Sequence, residues 1–557
     1  MNTTQELLDK SFESMILSAS GWRKVFAASS NEEDPTTEIS VEDSLICAAI
    51  AEVFGAYLNK LEGEKILLAR DARPTGSVIC SIIYRSMVKL GYSVEYCGIC
   101  SAPEIMAQSA VHPYKGFVYV SASHNPIGHN GIKGGRDGGV FPQEVASHLI
   151  EELKKKEKDI SSLQKLLEEG RSIEVVENTA LKEQCLKDYR LFVLKTACPD
   201  GNFKDFIEKV KRCGMGIVGD LNGSARCVGI DKAFLPELGL KTAFINDQSG
   251  KVAHAIVPEG ENLNACREKL EQMHALDPSY VLGYTPDNDG DRGNLVFIDN
   301  DGKAKIIEAQ DVFALCVYSV LRNASKLGMK NLAVAVNGPT SMRIDELCKS
   351  FGAKTFRAEV GEANAVNLGE KLREDGFSVP ILGEGSNGGN ITYPAKVRDP
   401  MNTIMSMASL MADGITIPQA LSLIPPYTTT SAFAPEAIVR LKTRDFTSLK
   451  TNYEKAFPAQ WESKKALLSK YGIVSFTEIR TKGICECTGL GNGTPGGLKM
   501  LFSDASGEDV AYIWMRPSGT EPVLRILADV KGKNTVLHDT LLSWQREMIE
   551  KAASLIG

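Results

Sequence analysis

An apolar run closing on a charged turn, a helical stretch, a glycine and a second apolar run recur three times along the chain. In the first copy, Lys65-Ile-Leu-Leu-Ala-Arg-Asp-Ala-Arg73 leads to a helix-like stretch from Val78 to Leu90, then Gly91 and Tyr92-Ser-Val-Glu-Tyr96. Met215-Gly-Ile-Val-Gly-Asp-Leu-Asn-Gly223, a helical segment, Gly239 and Leu240-Lys-Thr-Ala-Phe-Ile245 repeat the order. Leu332-Ala-Val-Ala-Val-Asn-Gly338, a helical segment, Gly352 and Ala353-Lys-Thr-Phe-Arg357 repeat it again. Strand, polar turn, helix, glycine stop and strand make a βαβ unit.

Each copy then reaches a further apolar run ending in a polar loop. Phe117-Val-Tyr-Val120 precedes Ser121, Tyr280-Val-Leu282 precedes Asp287, and Val379-Pro-Ile-Leu382 precedes Glu384. Ligands gather at the carboxyl ends of strands in open α/β sheets. The expected fold is therefore α/β with four domains around one central cleft: three related mixed α/β domains, then a smaller C-terminal α+β domain. The expected boundaries are 1–195, 196–312, 313–425 and 432–557, carrying in turn the serine, aspartate, glutamate and arginine loops. Leu423-Ile-Pro-Pro-Tyr427 and Thr428-Thr-Thr430 read as a linker, and the charged stretch from Gln143 to Asn178 as a solvated helix pair or insertion.

Composition narrows the classes. At 557 residues the chain exceeds what one hydrophobic core supports, and 43% hydrophobic with 24% charged residues is ordinary for a globular protein. A formal net charge of −7 argues against general binding to nucleic acid or to an anionic membrane. Met1 to Lys10 lacks the basic and apolar regions of a secretory signal, and no apolar run approaches the ~20 residues of a membrane span. Thirteen scattered cysteines fit reduced thiols, so a cytoplasmic location is expected. Cys97-Gly-Ile-Cys100 has no partner pair at zinc-ligand spacing and reads as a strand end with buried thiols.

Four loops carry the candidate chemistry. Ser121-Ala-Ser-His-Asn-Pro126, continuing through Asn130-Gly131 to Lys133, is a tight turn-rich loop. It can present Ser121 or Ser123 as a hydroxyl nucleophile, with His124 and Lys133 in reach. Asp287-Asn-Asp-Gly-Asp-Arg292 sets three carboxylates at alternate positions, with Gly290 permitting the bend that converges them. Such a group repels itself unless a cation neutralises it, and all-oxygen ligation favours Mg²⁺. An EF-hand does not fit, because Arg292 occupies the sixth loop position and Ile298 the twelfth. Gly383-Glu-Gly-Ser-Asn-Gly388 offers a carboxylate and a hydroxyl, Glu384 and Ser386, to sugar hydroxyls. Arg516-Pro-Ser-Gly-Thr-Glu-Pro522 exposes backbone N–H groups as an anion nest, with Arg516 and Arg525 adding charge. Gly491-Asn-Gly-Thr-Pro-Gly496 matches a dinucleotide fingerprint only superficially, because Pro495 interrupts it and a strand-like run follows.

At these loops the chain resembles the α-D-phosphohexomutases, the superfamily of phosphoglucomutase and phosphomannomutase. The family pattern T-A-S-H-N-P is Ser121 to Pro126 here, D-G-D-G-D-R appears with Asn288 at its second position, G-E-x-S is Gly383 to Ser386, and R-P-S-G-T-E-P is intact. An early S-G-x-R-G segment corresponds to Ser20-Gly-Trp-Arg23, with Lys24 in place of the last glycine. The stretch Ala358-Glu-Val-Gly-Glu362 departs from the family's T-K-V-G-H/D, so a familiar basic contact is absent. The resemblance implies hexose 1-phosphate to hexose 6-phosphate interconversion (glucose and/or mannose) through phospho-Ser123 and a hexose 1,6-bisphosphate. A phosphoglucosamine or N-acetylglucosamine phosphate mutase, or a metal-dependent sugar phosphatase, is the alternative. It implies one Mg²⁺ per site held by Ser123, Asp287, Asp289 and Asp291. Catalytic roles fall to Ser123, His124, Lys133, Arg292 and Arg23. Substrate binding falls to Glu384, Ser386, Arg516, Ser518, Gly519, Thr520 and Arg525, in a monomer or homodimer that acts on small sugar phosphates.

Overall fold

A computed structural model describes residues 4–18, 21–385, 388–488, 496–517 and 523–556. The fold is mixed α/β, and the chain divides into two compact units, Met1–Ile307 with Ile391–Pro418, and Glu308–Asn390 with Gln419–Gly557.

The first unit holds two sheets. In one, Ile66–Arg70 lies between Val94–Ile99 and Gly116–Val120, all parallel, and His129–Arg136 continues antiparallel from Gly116–Val120. Side chains alternate across this sheet as strand geometry requires. Ile66, Leu68, Val118 and Val120 face a core built with the helices Val41–Leu58, Gly76–Lys89, Gln143–Lys156 and Ile160–Gly170. Leu67, Ala69, Phe117 and Tyr119 face the helices Ala102–Val111 and Thr179–Ala197. The second sheet repeats the order: Gly216–Asp220 between Lys241–Ile245 and Tyr280–Pro286, all parallel, then Gly293–Ile298 antiparallel.

The second unit repeats it once more, with Leu332–Asn337 between Lys354–Ala358 and Ser378–Gly383 in parallel register. The three glycine stops read from the sequence have left-handed φ of 85° (Gly91), 82° (Gly239) and 65° (Gly352), where a side chain would be strained. Beyond it lies an antiparallel sheet built on Leu498–Ser503, Asp509–Pro517 and Val523–Lys531. Helices Phe446–Leu468 and Thr535–Ser554 share its core.

Three features differ from the sequence reading. The stretch from Gln143 to Asn178 is not merely solvated: Leu149, Leu153, Leu163 and Leu166 are buried in the first core, because the charged residues occupy only the outer faces of two amphipathic helices. The linker stretch includes a strand, Tyr427–Thr429, whose β-branched threonines pair with Val523–Lys531. Residues Ile391–Pro418 pack with the first unit, where helix Pro400–Ala412 lies against Phe203–Cys213 and Thr179–Ala197. Among the described residues no helix is long and apolar enough to cross a membrane.

Candidate active site

In the first unit the serine and aspartate loops each connect a parallel strand to its antiparallel neighbour, so both leave the carboxyl ends of buried strands. Ser123 is buried, with a left-handed φ of 54°. Outside glycine this region costs about 1–3 kcal/mol and persists only where surrounding bonds over-determine it. The Ser123 hydroxyl donates to Asp287 Oδ2 at 2.7 Å, and its backbone N–H donates to Ser121 Oγ at 2.8 Å. Ser121 in turn donates to Asp289 Oδ2 at 3.0 Å. The two serines thus have distinct places: Ser123 Oγ meets Asp287 and lies 3.4 Å from His124 Nδ1, whereas Ser121 Oγ bridges Asp289 and the Ser123 N–H.

Asp287, Asp289 and Asp291 are all buried and offer carboxylate oxygens within 4.8 Å of one another. Gly290, at φ 68°, makes the bend that converges them. Burial, followed by repulsion from Asp289 and Asp291, pushes the Asp287 carboxyl well above the usual range. Burial would raise Asp291 too, but Arg398, Lys133 and Arg292 outweigh it and hold that carboxyl well below the usual range. Asp289 Oδ1 is buried with no hydrogen-bond partner among the described residues. Three packed carboxylates with a buried oxygen unused by any described hydrogen bond fit a hard divalent cation.

Cations surround the group. Lys133 Nζ donates to Asp289 Oδ2 at 2.6 Å; burial would lower its pKa, but Asp289 and Asp291 prevail and raise it, so it stays an ammonium. Arg292 donates its backbone N–H to Asp287 Oδ1 at 3.1 Å. Arg23 lies opposite Gly131 in the strand pair Gly21–Val25 and His129–Arg136, and burial followed by Arg292 lowers its pKa. Burial, then repulsion from Arg292 and Arg23, drives His124 well below its ordinary pKa and leaves the imidazole neutral. The five expected catalytic residues therefore sit in one neighbourhood.

Sequence reasoning missed the supports. Arg398 donates from Nη2 to Asp291 Oδ2 at 3.1 Å. Its neighbour Asp399 accepts from the Tyr189 hydroxyl at 2.7 Å and pairs with Arg226, whose Nε reaches the Gly290 carbonyl at 3.3 Å. The fully buried Arg73 holds the serine loop. The available signal was position: Asp71 and Arg73 follow a βαβ first strand, where a charged turn is expected to face ligands.

In the second unit Glu384 Oε1 accepts from Asn337 Nδ2 at 2.9 Å and Gly361 N at 2.8 Å. Thr340 Oγ1 donates to Asn337 Oδ1 at 2.6 Å, fixing that amide. Arg516 Nε lies 2.8 Å from Glu359 Oε1, while Glu359 Oε2 accepts from Thr481 Oγ1 at 2.6 Å and Gly497 N at 2.7 Å. The departure at 358–362 thus has a structural role: Glu359 pairs with the arginine of the C-terminal loop. Arg525 is the cross-strand partner of Arg516 and donates to the Ala432 carbonyl at 2.9 Å. Ser386, Ser518, Gly519 and Thr520 lie outside the described residues, as do Ser20 and most of the glycine-rich 491–496 segment.

Residues 18–160 match the family model for phosphoglucomutase/phosphomannomutase α/β/α domain I, and residues 308–427 match that for domain III. The chain belongs to the α-D-phosphohexomutase superfamily. It is accordingly a mutase, an enzyme of the isomerase class. A phosphoglucomutase/phosphomannomutase of Thermococcus kodakarensis is 24% identical over 499 residues, 87% of this chain and 90% of the relative. A phosphoglucosamine mutase of Alkaliphilus metalliredigens is 22% identical over 509 residues, 89% and 93% of the two chains. In fold the chain is similar to the open form of the Paramecium phosphoprotein pp63/parafusin. That likeness has a TM-score of 0.65 at 15% identity and covers 97% of this chain and 94% of that one.

Proposed function

We propose that the chain interconverts a hexose 1-phosphate and a hexose 6-phosphate, glucose and/or mannose, through phospho-Ser123 and a hexose 1,6-bisphosphate. The observation that carries this reading is the Ser123 hydroxyl, 2.7 Å from Asp287 Oδ2 inside a buried three-carboxylate group. A phosphoryl group passes from Ser123 to the sugar's free hydroxyl, the bisphosphate turns round, and its other phosphate returns to Ser123. A bisphosphate bound from solution would prime the serine, so it acts as activator as well as intermediate. Magnesium held by Asp287, Asp289, Asp291 and the serine oxygen would neutralise charge on the transferring group.

The chain's own residues supply the rest. Arg23 and Arg292 provide positive charge for phosphate oxygens. His124, kept neutral, is able to exchange a proton with Ser123 Oγ. Lys133 is held as an ammonium, so its part is electrostatic, and as an acid it has a proton to give to a departing oxygen. In the second unit, Glu384 with Ser386 is assigned to the sugar hydroxyls. Arg516 and Arg525, with Ser518, Gly519 and Thr520, are assigned to the phosphate that does not react.

A phosphoglucosamine or N-acetylglucosamine phosphate substrate is the second reading. It is favoured by the name of the Alkaliphilus relative. A coupled assay with glucose, mannose, glucosamine and N-acetylglucosamine 1-phosphates, Mg²⁺ and a trace of bisphosphate ranks the sugars by kcat/KM. Release of inorganic phosphate without isomer formation would replace the mutase reading by a phosphatase.

A further inference from the structure

We infer that Arg73 is the positioning residue that holds Ser123 in its reactive conformation. Arg73 is fully buried, and all its Nη donors are spent on backbone carbonyls of one loop. Nη2 donates to the carbonyls of Ser123 at 2.7 Å and Asn125 at 2.5 Å; Nη1 donates to that of His129 at 3.1 Å and to that of Pro126. Nε lies 3.2 Å from Asp71 Oδ2, and Asp71 Oδ1 accepts the Arg73 N–H at 2.9 Å. Asp71 is thus the ion-pair partner of the buried guanidinium, and the four carbonyls orient its plane.

The need for such a clamp is set by the backbone. Ser123 has φ of 54° and lies outside the strands, so the carbonyls of Ser123 and Asn125 are not paired within a ladder, whereas that of Pro126 also accepts the His129 N–H at 3.1 Å. Buried carbonyls left unpaired are costly, and the loop would relax to satisfy them. A planar fork with five donors can satisfy several convergent oxygens at fixed angles. A lysine ammonium has three donors on a flexible stem and cannot. Because Arg73 grips the carbonyl of Ser123 itself, it determines where Oγ lies relative to Asp287, and a displacement of 1 Å at a reacting atom can cost ~10²-fold in rate. Arg73 touches no substrate group on this reading, because it is fully buried and its Nη donors are engaged by the loop.

This inference rests on Ser123 being the phosphoryl carrier. The experiment compares R73K, R73A and S123A in the full-length protein, following kcat, KM for hexose 1-phosphate, transfer of labelled phosphate from hexose 1,6-bisphosphate to the protein, and Mg²⁺ affinity. For R73K the expected result is a fall of ~10²-fold in kcat and in serine phosphorylation, with KM and Mg²⁺ affinity within about twofold of wild type. In R73A, added methylguanidinium fills the vacated space and restores turnover at least tenfold, whereas methylammonium does not. Should R73A misfold, the charge-balanced pair D71N/R73M replaces it for the kcat and KM comparison. Unchanged kcat in R73K overturns the clamp. So does a loss of kcat, KM and Mg²⁺ affinity together without guanidinium rescue, which is the mark of a general structural role. S123A that still turns over would instead remove the phosphoserine premise, a failure distinct from that of the clamp.

Discussion

The hydroxyl of Ser123 lies 2.7 Å from Asp287 Oδ2, although 164 residues separate them in sequence. A left-handed serine and a self-repelling carboxylate have been brought into contact, each in a conformation it would not choose alone. Such strain is retained where chemistry uses it. Replacing Ser123 by alanine removes the one hydroxyl among the described residues that donates to Asp287, and Ser121 Oγ is occupied by Asp289 and by the Ser123 N–H. S123A is expected to lose isomer formation by at least ~10⁴-fold, with no label acquired from bisphosphate. Near-normal turnover would show that the phosphoryl group travels by another route.

Asp289 accepts from Ser121 and Lys133, and on the proposed function it would also hold the cation. Chelation with EDTA is expected to stop turnover reversibly, Mg²⁺ restoring it. In D289A, excess Mg²⁺ is expected to leave activity down by roughly 10³-fold or more, about 4 kcal/mol of barrier. Full activity after exhaustive chelation would refute the metal assignment.

The parts of the site legible in the sequence are those whose chemistry is written in consecutive residues. Ser121 to Pro126 and Asp287 to Arg292 announce themselves because alternating carboxylates or turn dipeptides are improbable without a purpose. The repeated strand, helix and glycine order likewise exposed the parallel sheets, since apolar runs and glycine stops are local. What stayed hidden depends on pairs far apart. Arg73 reaches Ser123 across 50 positions, Arg226 reaches Asp399 across 173, and Glu359 reaches Gly497 across 138. A buried arginine reads in sequence like any surface charge until its carbonyl or carboxylate partners are known. The strand Tyr427–Thr429 was missed for a related reason: the flanking prolines suggested a linker, and pairing to a distant strand overrode them.

Arg516 is held by Glu359 at 2.8 Å and stands beside Arg525 in the cross-strand pair. A charge-assisted bond from Arg516 to a phosphate oxygen would be worth about 1.5–3 kcal/mol. R516A is expected to raise KM for the sugar phosphate by roughly 10–100-fold, because a uniformly bound phosphate contributes to ground and transition states alike. E359Q keeps Arg516 in place less firmly and should raise KM by a smaller factor. Steady-state kinetics on both variants decides: a fall in kcat with unchanged KM would place Arg516 at the reacting end of the sugar.

Lys499 gives a prediction about stability against pH. It lies in the strand Leu498–Ser503, nearly fully buried, with Nζ 4.5 Å from the centre of the Tyr512 ring. Burial, reinforced by the Arg357 charge, lowers its pKa to about 7. In the unfolded chain the amine titrates near its ordinary value of about 10.4. Between these values the unfolded state holds the proton and the folded state does not, so stability rises with pH. Below about pH 7 both states are protonated, and the cost of burying the charge is carried in full. The stabilisation of wild type relative to K499M should therefore grow by roughly 1.4 kcal/mol per pH unit from pH 7 to pH 9. At pH 6, K499M should be the more stable of the two, because methionine fills the site without a charge. Urea denaturation of both proteins at pH 6, 7, 8 and 9 measures this, and a difference that does not change with pH would show that Lys499 keeps its proton in the folded chain.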